Sequence, residues 1–134
     1  ALAKGGRSDP NEVRGPPKEI KRMITVNLRY NGKGNAALDF AKEMTESGTV
    51  AKIRAEKGNL RYEYYLPFFD DSPDKTVLLI DQWENQEAID AHHASPMMAT
   101  IASLREKYDL HMTVERFLSD AGGVPESDME FIRK

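Results

Sequence analysis

From residue 23 onward the hydrophobic period switches repeatedly, and each switch marks an element. Ile24, Val26, Leu28 and Tyr30 alternate with Thr25, Asn27 and Arg29, the period-2 signature of a half-buried strand over residues 23–30. Asn31-Gly32-Lys33-Gly34 is a turn cluster, and Asn35 stands where a helix N-cap belongs. Ala37, Phe40, Ala41 and Met44 then recur at helical spacing. Gly48 and Thr49 interrupt that helix, which resumes over residues 50–57 with Val50 and Ile53 inward, and Gly58-Asn59 stops it. Residues 60–66 return to period 2, with Leu60, Tyr62, Tyr64 and Leu66 on one side. Pro67 and the polar run 70–75 make a solvated hairpin connection to residues 76–83, an aliphatic run that reads as a more buried strand. A helical pattern over residues 85–94 puts Ala88, Ile89 and His92 on one face. Ser95-Pro96 then supplies a cap and a first-turn proline for a further helix carrying Met97, Ile101, Leu104 and Tyr108. Residues 111–117 form the last strand.

The order β-α-β-β-α-β predicts an α+β, ferredoxin-like domain: an antiparallel sheet of four strands with helices on one face. Ile24, Val26, Leu28, Val77, Leu79, Met112 and Val114 together offer more apolar strand surface than one helical layer needs. The expectation is a homodimer in which the open sheet face meets its copy.

The chain has 134 residues, enough for one domain of ordinary size. Residues 1–22 read as a basic N-terminal arm, 23–117 as the folded domain and 118–134 as a C-terminal tail. The arm carries six basic and three acidic side chains with several glycines and prolines, so it is +3 against -6 for the remainder. With a formal net charge of -3 the chain lacks the basic footprint of a nucleic-acid binder, and no apolar run approaches the ~20 residues of a membrane-spanning helix. The absence of cysteine removes disulfides, thiolate metal sites and thiol catalysis together. The expected location is the cytoplasm. Export stays an open alternative, because the sequence opens Ala1-Leu2-Ala3, a triplet of the signal-peptidase kind.

No hydrolase elbow, P-loop, dinucleotide fingerprint or zincin motif is present. His92 and His93 are adjacent, and adjacent helical side chains point about 100° apart, which does not suit a shared metal. The chemistry-bearing residues within regular elements are Asn27, Arg29, Tyr62, Tyr64, Asp81, Trp83, His92, His93 and His111. His92 lies on an inward face, where it is either a core histidine or a proton acceptor; His93 points partly outward. Trp83 caps a core or floors a pocket, and Tyr62 and Tyr64 share a strand face from which hydroxyls could meet a ligand. Asn27, a carboxamide in an apolar strand, needs a partner. Glu56 reads as solvated, with Gly58 supplying a left-handed turn.

Three segments taken together carry a resemblance: residues 54–63 (RAEKGNLRYE), residues 81–84 (DQWE) and residues 87–96 (EAIDAHHASP). In this order and spacing they resemble the antibiotic-biosynthesis monooxygenase family, which includes quinol monooxygenases, over about residues 23–117. The resemblance implies a dimeric α/β barrel and oxygenation of a phenol- or quinol-type aromatic by dioxygen without flavin, haem or metal. It implies that His92 accepts the proton, Asn27 holds the developing oxyanion and Trp83 stacks on the ring. Tyr62, Tyr64 and Arg29 are the remaining substrate-binding candidates. Asp81 stands where the family often has Glu, and His93 where it has an aliphatic residue. The helix tryptophan and the iron-binding histidine of haem-degrading relatives correspond to His92 and Ala102, which argues against haem degradation. Two alternatives stay open: a non-catalytic dimer that binds a small apolar ligand, and an isomerase-type enzyme. A pocket in which Asn27 and His92 face each other is the arrangement expected of an enzyme.

Overall fold

The computed structural model describes residues 22–134, so the basic arm, Arg22 apart, lies outside the described residues. Strand β1 (Ile24–Asn31) leads to helix α1 (Ala36–Glu46), and α2 (Thr49–Arg54) follows after the turn at Gly48. Strands β2 (Asn59–Tyr65) and β3 (Thr76–Trp83) precede helices α3 (Gln86–His93) and α4 (Met97–Lys107). Strand β4 (His111–Leu118) closes the sheet, and a 3-10 turn at Glu126–Phe131 lies beyond it. The four strands lie in the order β2-β3-β1-β4, every neighbouring pair antiparallel. This is the ferredoxin-like arrangement that the period changes predict.

Cross-strand register decides which side chains meet. Ile24, Val26, Leu28 and Tyr30 pair with Trp83, Asp81, Leu79 and Val77 on the helix side of the sheet. Thr25, Asn27 and Arg29 pair with Gln82, Ile80 and Leu78 on the opposite side, since successive strand residues face opposite ways. The core between sheet and helices is built on Trp83, Tyr30, Phe40, Met44, Ile53 and Leu79, all almost fully buried.

Several local expectations change. Leu60 and Leu66 are exposed, not inward: a bulge between Asn59 and Arg61 breaks the alternation at Leu60, and Leu66 lies past the strand end. The apolar set behind the homodimer expectation also sits on the helix side. The open face instead carries Leu78, Ile80, Tyr65 and Phe117. Asn35 does precede α1 but makes no side-chain cap, and neither does Ser95, whose hydroxyl is shielded and unpartnered among the described residues. The run 70–75 is more than a solvated hairpin. Gly34 N–H donates to Asp74 Oδ1 at 2.8 Å and Gly34 C=O accepts from Lys75 N–H at 2.9 Å, which ties the β2–β3 loop to the β1–α1 turn.

Candidate active site

Two helix ends and one strand end converge at the site. Asn85, with extended backbone, accepts from Ala88 N–H at 2.9 Å and so starts α3; seven residues on, His92 falls on the inward face beside Ile89. Across from it, the chain leaving α2 reverses at Gly58, where φ is +86°. A Cβ at Gly58 would stand 2.6 Å from Ala88 Cβ, and Gly58 C=O accepts from Glu84 N–H at 2.8 Å. Only glycine lets the α2 exit approach α3 this closely. That approach brings Glu56 Oε1 to 2.6 Å from His92 Nδ1, with side chains 17% and 5% exposed.

A Gly58→Ala variant combines left-handed strain with overpacking against Ala88. It should lose about 2–4 kcal/mol by denaturant titration and should move α3 off α2. Unchanged stability together with an intact His92–Glu56 proton resonance would show that the α2–α3 approach does not depend on Gly58.

A carboxylate at Nδ1 fixes the tautomer: Nδ1–H donates to Glu56, and Nε2 keeps its lone pair. The imidazole lies over the Trp83 indole, ring centroids 4.8 Å apart and planes tilted by 31°, and Tyr62 meets it edge-on at 6.4 Å. The Trp83 N–H donates to Asp81 Oδ1 at 2.5 Å, the two residues being two apart on the same face of β3. Between these groups and α4 opens a cavity of about 350 Å³. Val26, Leu28, Leu79 and Ile101 give it apolar walls; Tyr30, Tyr62, Asp81, His92, His93, Arg105 and Arg116 are its charged or titratable members. The size suits a small aromatic ligand.

Burial governs the titration of this region. It pushes the Tyr30 phenol up to about 12 and the Tyr62 phenol well above its ordinary value, so both remain neutral hydrogen-bonding groups. The Asp81 carboxyl is pushed up by burial to about 7, opposed by the Trp83 N–H bond and reinforced by the charge of Glu56. Between the ordinary 3.8 and about 7 the folded chain therefore binds more protons than the unfolded one. The stability contributed by neutral Asp81 is complete below 3.8 and is lost as pH rises through about 7. Asp81→Asn keeps an acceptor for Trp83 and removes the ionisation. It should be more stable than the parent at pH 8, by at most about 4 kcal/mol, and no more stable at pH 4. Denaturant titrations at both pH values check this; an equal difference at the two would contradict it.

Of the residues singled out from sequence, the structure brings together His92, Trp83, Asp81 and Tyr62, with exposed His93 at the cavity edge. Asn27 and Arg29 are not part of this group. Both lie on the far side of the sheet from His92; Arg29 is half-exposed and ion-paired with Glu115. Asn27 Oδ1 is shielded without a partner among the described residues. The expected face-to-face placement of Asn27 and His92 is therefore not found. Tyr64 shares the helix-side face with Tyr62 but stacks edge-on against Phe40 at 6.4 Å and lines a separate depression beside α1. His111 is exposed at the start of β4. Sequence reasoning missed Glu56 as the partner of His92, Asp81 as the partner of Trp83, and both arginines. For Asp81 there was a signal: a carboxylate on the same face as Trp83 in a buried strand.

A ferredoxin-like sheet whose helix side encloses a cavity with a buried His–Glu pair defines the class. The chain belongs to the antibiotic biosynthesis monooxygenase family, whose model matches residues 23–103. No curated protein matches the sequence. Among solved structures, the fold is similar to a conserved protein of Bacteroides thetaiotaomicron described as a possible oxidoreductase. The two are 17% identical, with 74% of this chain and 99% of that one covered at a TM-score of 0.62. It is also similar to a candidate antibiotic biosynthesis monooxygenase of Deinococcus radiodurans, 14% identical over 72% of this chain and 92% of that one at a TM-score of 0.60. A dimeric ferredoxin-like protein from an uncultured marine organism is 10% identical, with coverage of 74% and 96% and a TM-score of 0.60. Identities this low speak for the shared fold alone. None of the described helices is long and apolar enough to cross a membrane.

Proposed function

We propose that this protein is a monooxygenase that oxidises a phenol- or quinol-type aromatic with dioxygen to the quinone, the substrate supplying the electrons. The observation that carries the reading is the His92–Glu56 pair beside the Trp83 ring at the wall of an apolar cavity. His92 Nε2 takes the phenolic proton while Glu56 holds Nδ1–H and balances the imidazolium. The phenolate passes an electron to dioxygen, and the radical pair combines at a ring carbon that still carries hydrogen. Protonation by His92 gives the hydroperoxide; loss of the ring proton with cleavage of the O–O bond then yields the carbonyl and water. One phenol and one dioxygen become one quinone and one water. The apolar walls keep bulk water from the reactive intermediates.

Asn27 has no part in this scheme, because the sheet separates it from the cavity. The open face suits a different task. Leu78, Ile80 and Phe117 share that face with Asn27, whose Oδ1 has no partner among the described residues; such a face suits pairing with its copy, and the marine neighbour, described as dimeric, supports a homodimer. Sedimentation should give a dimer, and Ile80→Asp should give monomers. A monomeric parent protein would contradict the pairing.

Oxygen uptake against a panel of naphthalene and anthracene quinols, with autoxidation subtracted, tests the reaction. Uptake that requires the protein supports it. Its absence across the panel would shift the reading to ligand binding or to isomerase chemistry.

A further inference from the structure

The cavity is polarised from end to end. Its acid–base groups, Asp81 and the Glu56-bound His92, gather under α3, whereas the wall formed by α4 and β4 carries Arg105 and Arg116. Arg116 stands in the cross-strand row Asp81–Val26–Arg116, two strands and roughly 10 Å from Asp81. Arg105 enters from α4, and its Nη1 reaches Met112 Sδ at 3.3 Å, a weak acceptor that leaves most of its donors unspent. Among the described residues neither guanidinium is in an ion pair. Arg116 is exposed on the edge strand β4 and Arg105 is partly buried on α4, and both line the cavity that holds Trp83 and His92.

We infer that Arg105 and Arg116 form an anion-binding rim that holds a carboxylate or phosphate substituent of the aromatic ligand while its hydroxyl reaches His92. The inference rests on the aromatic-ligand reading of this cavity and narrows it to acidic aromatics. Guanidinium donors suit the two or three oxygens of such groups, and a ring bearing one acidic substituent spans the distance from Arg116 to the acid–base end. The opposite orientation would set the anion against the Asp81 carboxyl and beside the Glu56-bound His92. Held by its acidic end, a substrate has its hydroxyl positioned before the reaction begins.

The test is titration calorimetry of the full chain with hydroxynaphthoate, its carboxamide and naphthyl phosphate. The indole N–H resonance of Trp83, the chain's single tryptophan, reports whether each ligand enters the cavity. Hydroxynaphthoate or naphthyl phosphate should bind about 10- to 100-fold more tightly than the carboxamide, and which of them leads tells carboxylate from phosphate. Arg105→Gln/Arg116→Gln should erase that preference while keeping carboxamide binding, and Arg105→Lys/Arg116→Lys should restore part of it. Equal binding of the anions and the carboxamide, no binding of either anion, or a preference that survives the double Gln variant would each overturn the inference. The outcome is separable from that of the proposed reaction. Oxygen uptake with neutral quinols but no anion preference removes the rim and keeps the reaction. Anion preference without oxygen uptake on any quinol does the reverse.

Discussion

His92→Gln should lower kcat for quinol oxidation by about 100- to 10,000-fold while the fold survives. Glutamine can still donate to Glu56, so the buried carboxylate is not stranded, but it offers no basic nitrogen to a phenol. Phenol deprotonation comes before electron transfer in the proposed sequence, so the loss should shrink as pH approaches the ionisation of the substrate itself. A Glu56→Gln variant should show a smaller defect, because the imidazole survives and only its tautomer and charge balance are disturbed. The comparison is made on kcat across a pH series, with circular dichroism confirming the fold. A His92→Gln variant with parental kcat would remove the histidine from the proposed chemistry.

Trp83→Ala should be the most destabilising single change in the molecule, at about 3–5 kcal/mol. Trp83 is 1% exposed, lies under His92 and supplies the N–H bound to Asp81. Truncation opens a void in the core and deprives the half-buried Asp81 carboxyl of its donor. The midpoint of thermal unfolding should fall by roughly 10–20 °C. Trp83→Phe separates the two effects: it fills most of the volume but cannot donate, so it should cost less and should move the Asp81 ionisation further above 7. Carbon-13 NMR of the Asp81 carboxyl reads that ionisation directly. A phenylalanine variant with an unmoved Asp81 titration would show that the indole N–H does not hold the carboxylate.

Most of the sheet was legible because β1 alternates cleanly and β3 is a continuous aliphatic run. The third strand begins and ends where its aliphatic run does, at Thr76 and Trp83, and the split of the helices at Gly48 and at Ser95-Pro96 follows from residues that cannot continue a helix. Alternation also carried information about the site. Asn27 and Arg29 sit on the parity opposite Val26 and Leu28, which already placed them away from an inward His92; the expectation taken from family resemblance ran against the strand's own pattern. Tyr62 and Tyr64 share a parity and meet edge-on at 6.0 Å, yet only Tyr62 lines the cavity, because Phe40 of α1 packs on Tyr64. No local pattern could show that. The His92–Glu56 contact was illegible for a related reason: it joins residues 36 apart through the approach of α2 to α3. The bulge at Leu60 was hidden because a hydrophobic pattern does not record an extra residue in one strand.

In the proposed reaction, oxygen from O2 enters an aromatic ring at the His92–Trp83 site. The most direct measurement is turnover of a reactive quinol under oxygen-18 gas, with the product read by mass spectrometry. One labelled oxygen is expected in the new carbonyl and the other in water, with incorporation by His92→Gln slowed by about 100-fold or more. Product that carries oxygen from solvent, or labelled product formed equally well by His92→Gln, would contradict that reaction.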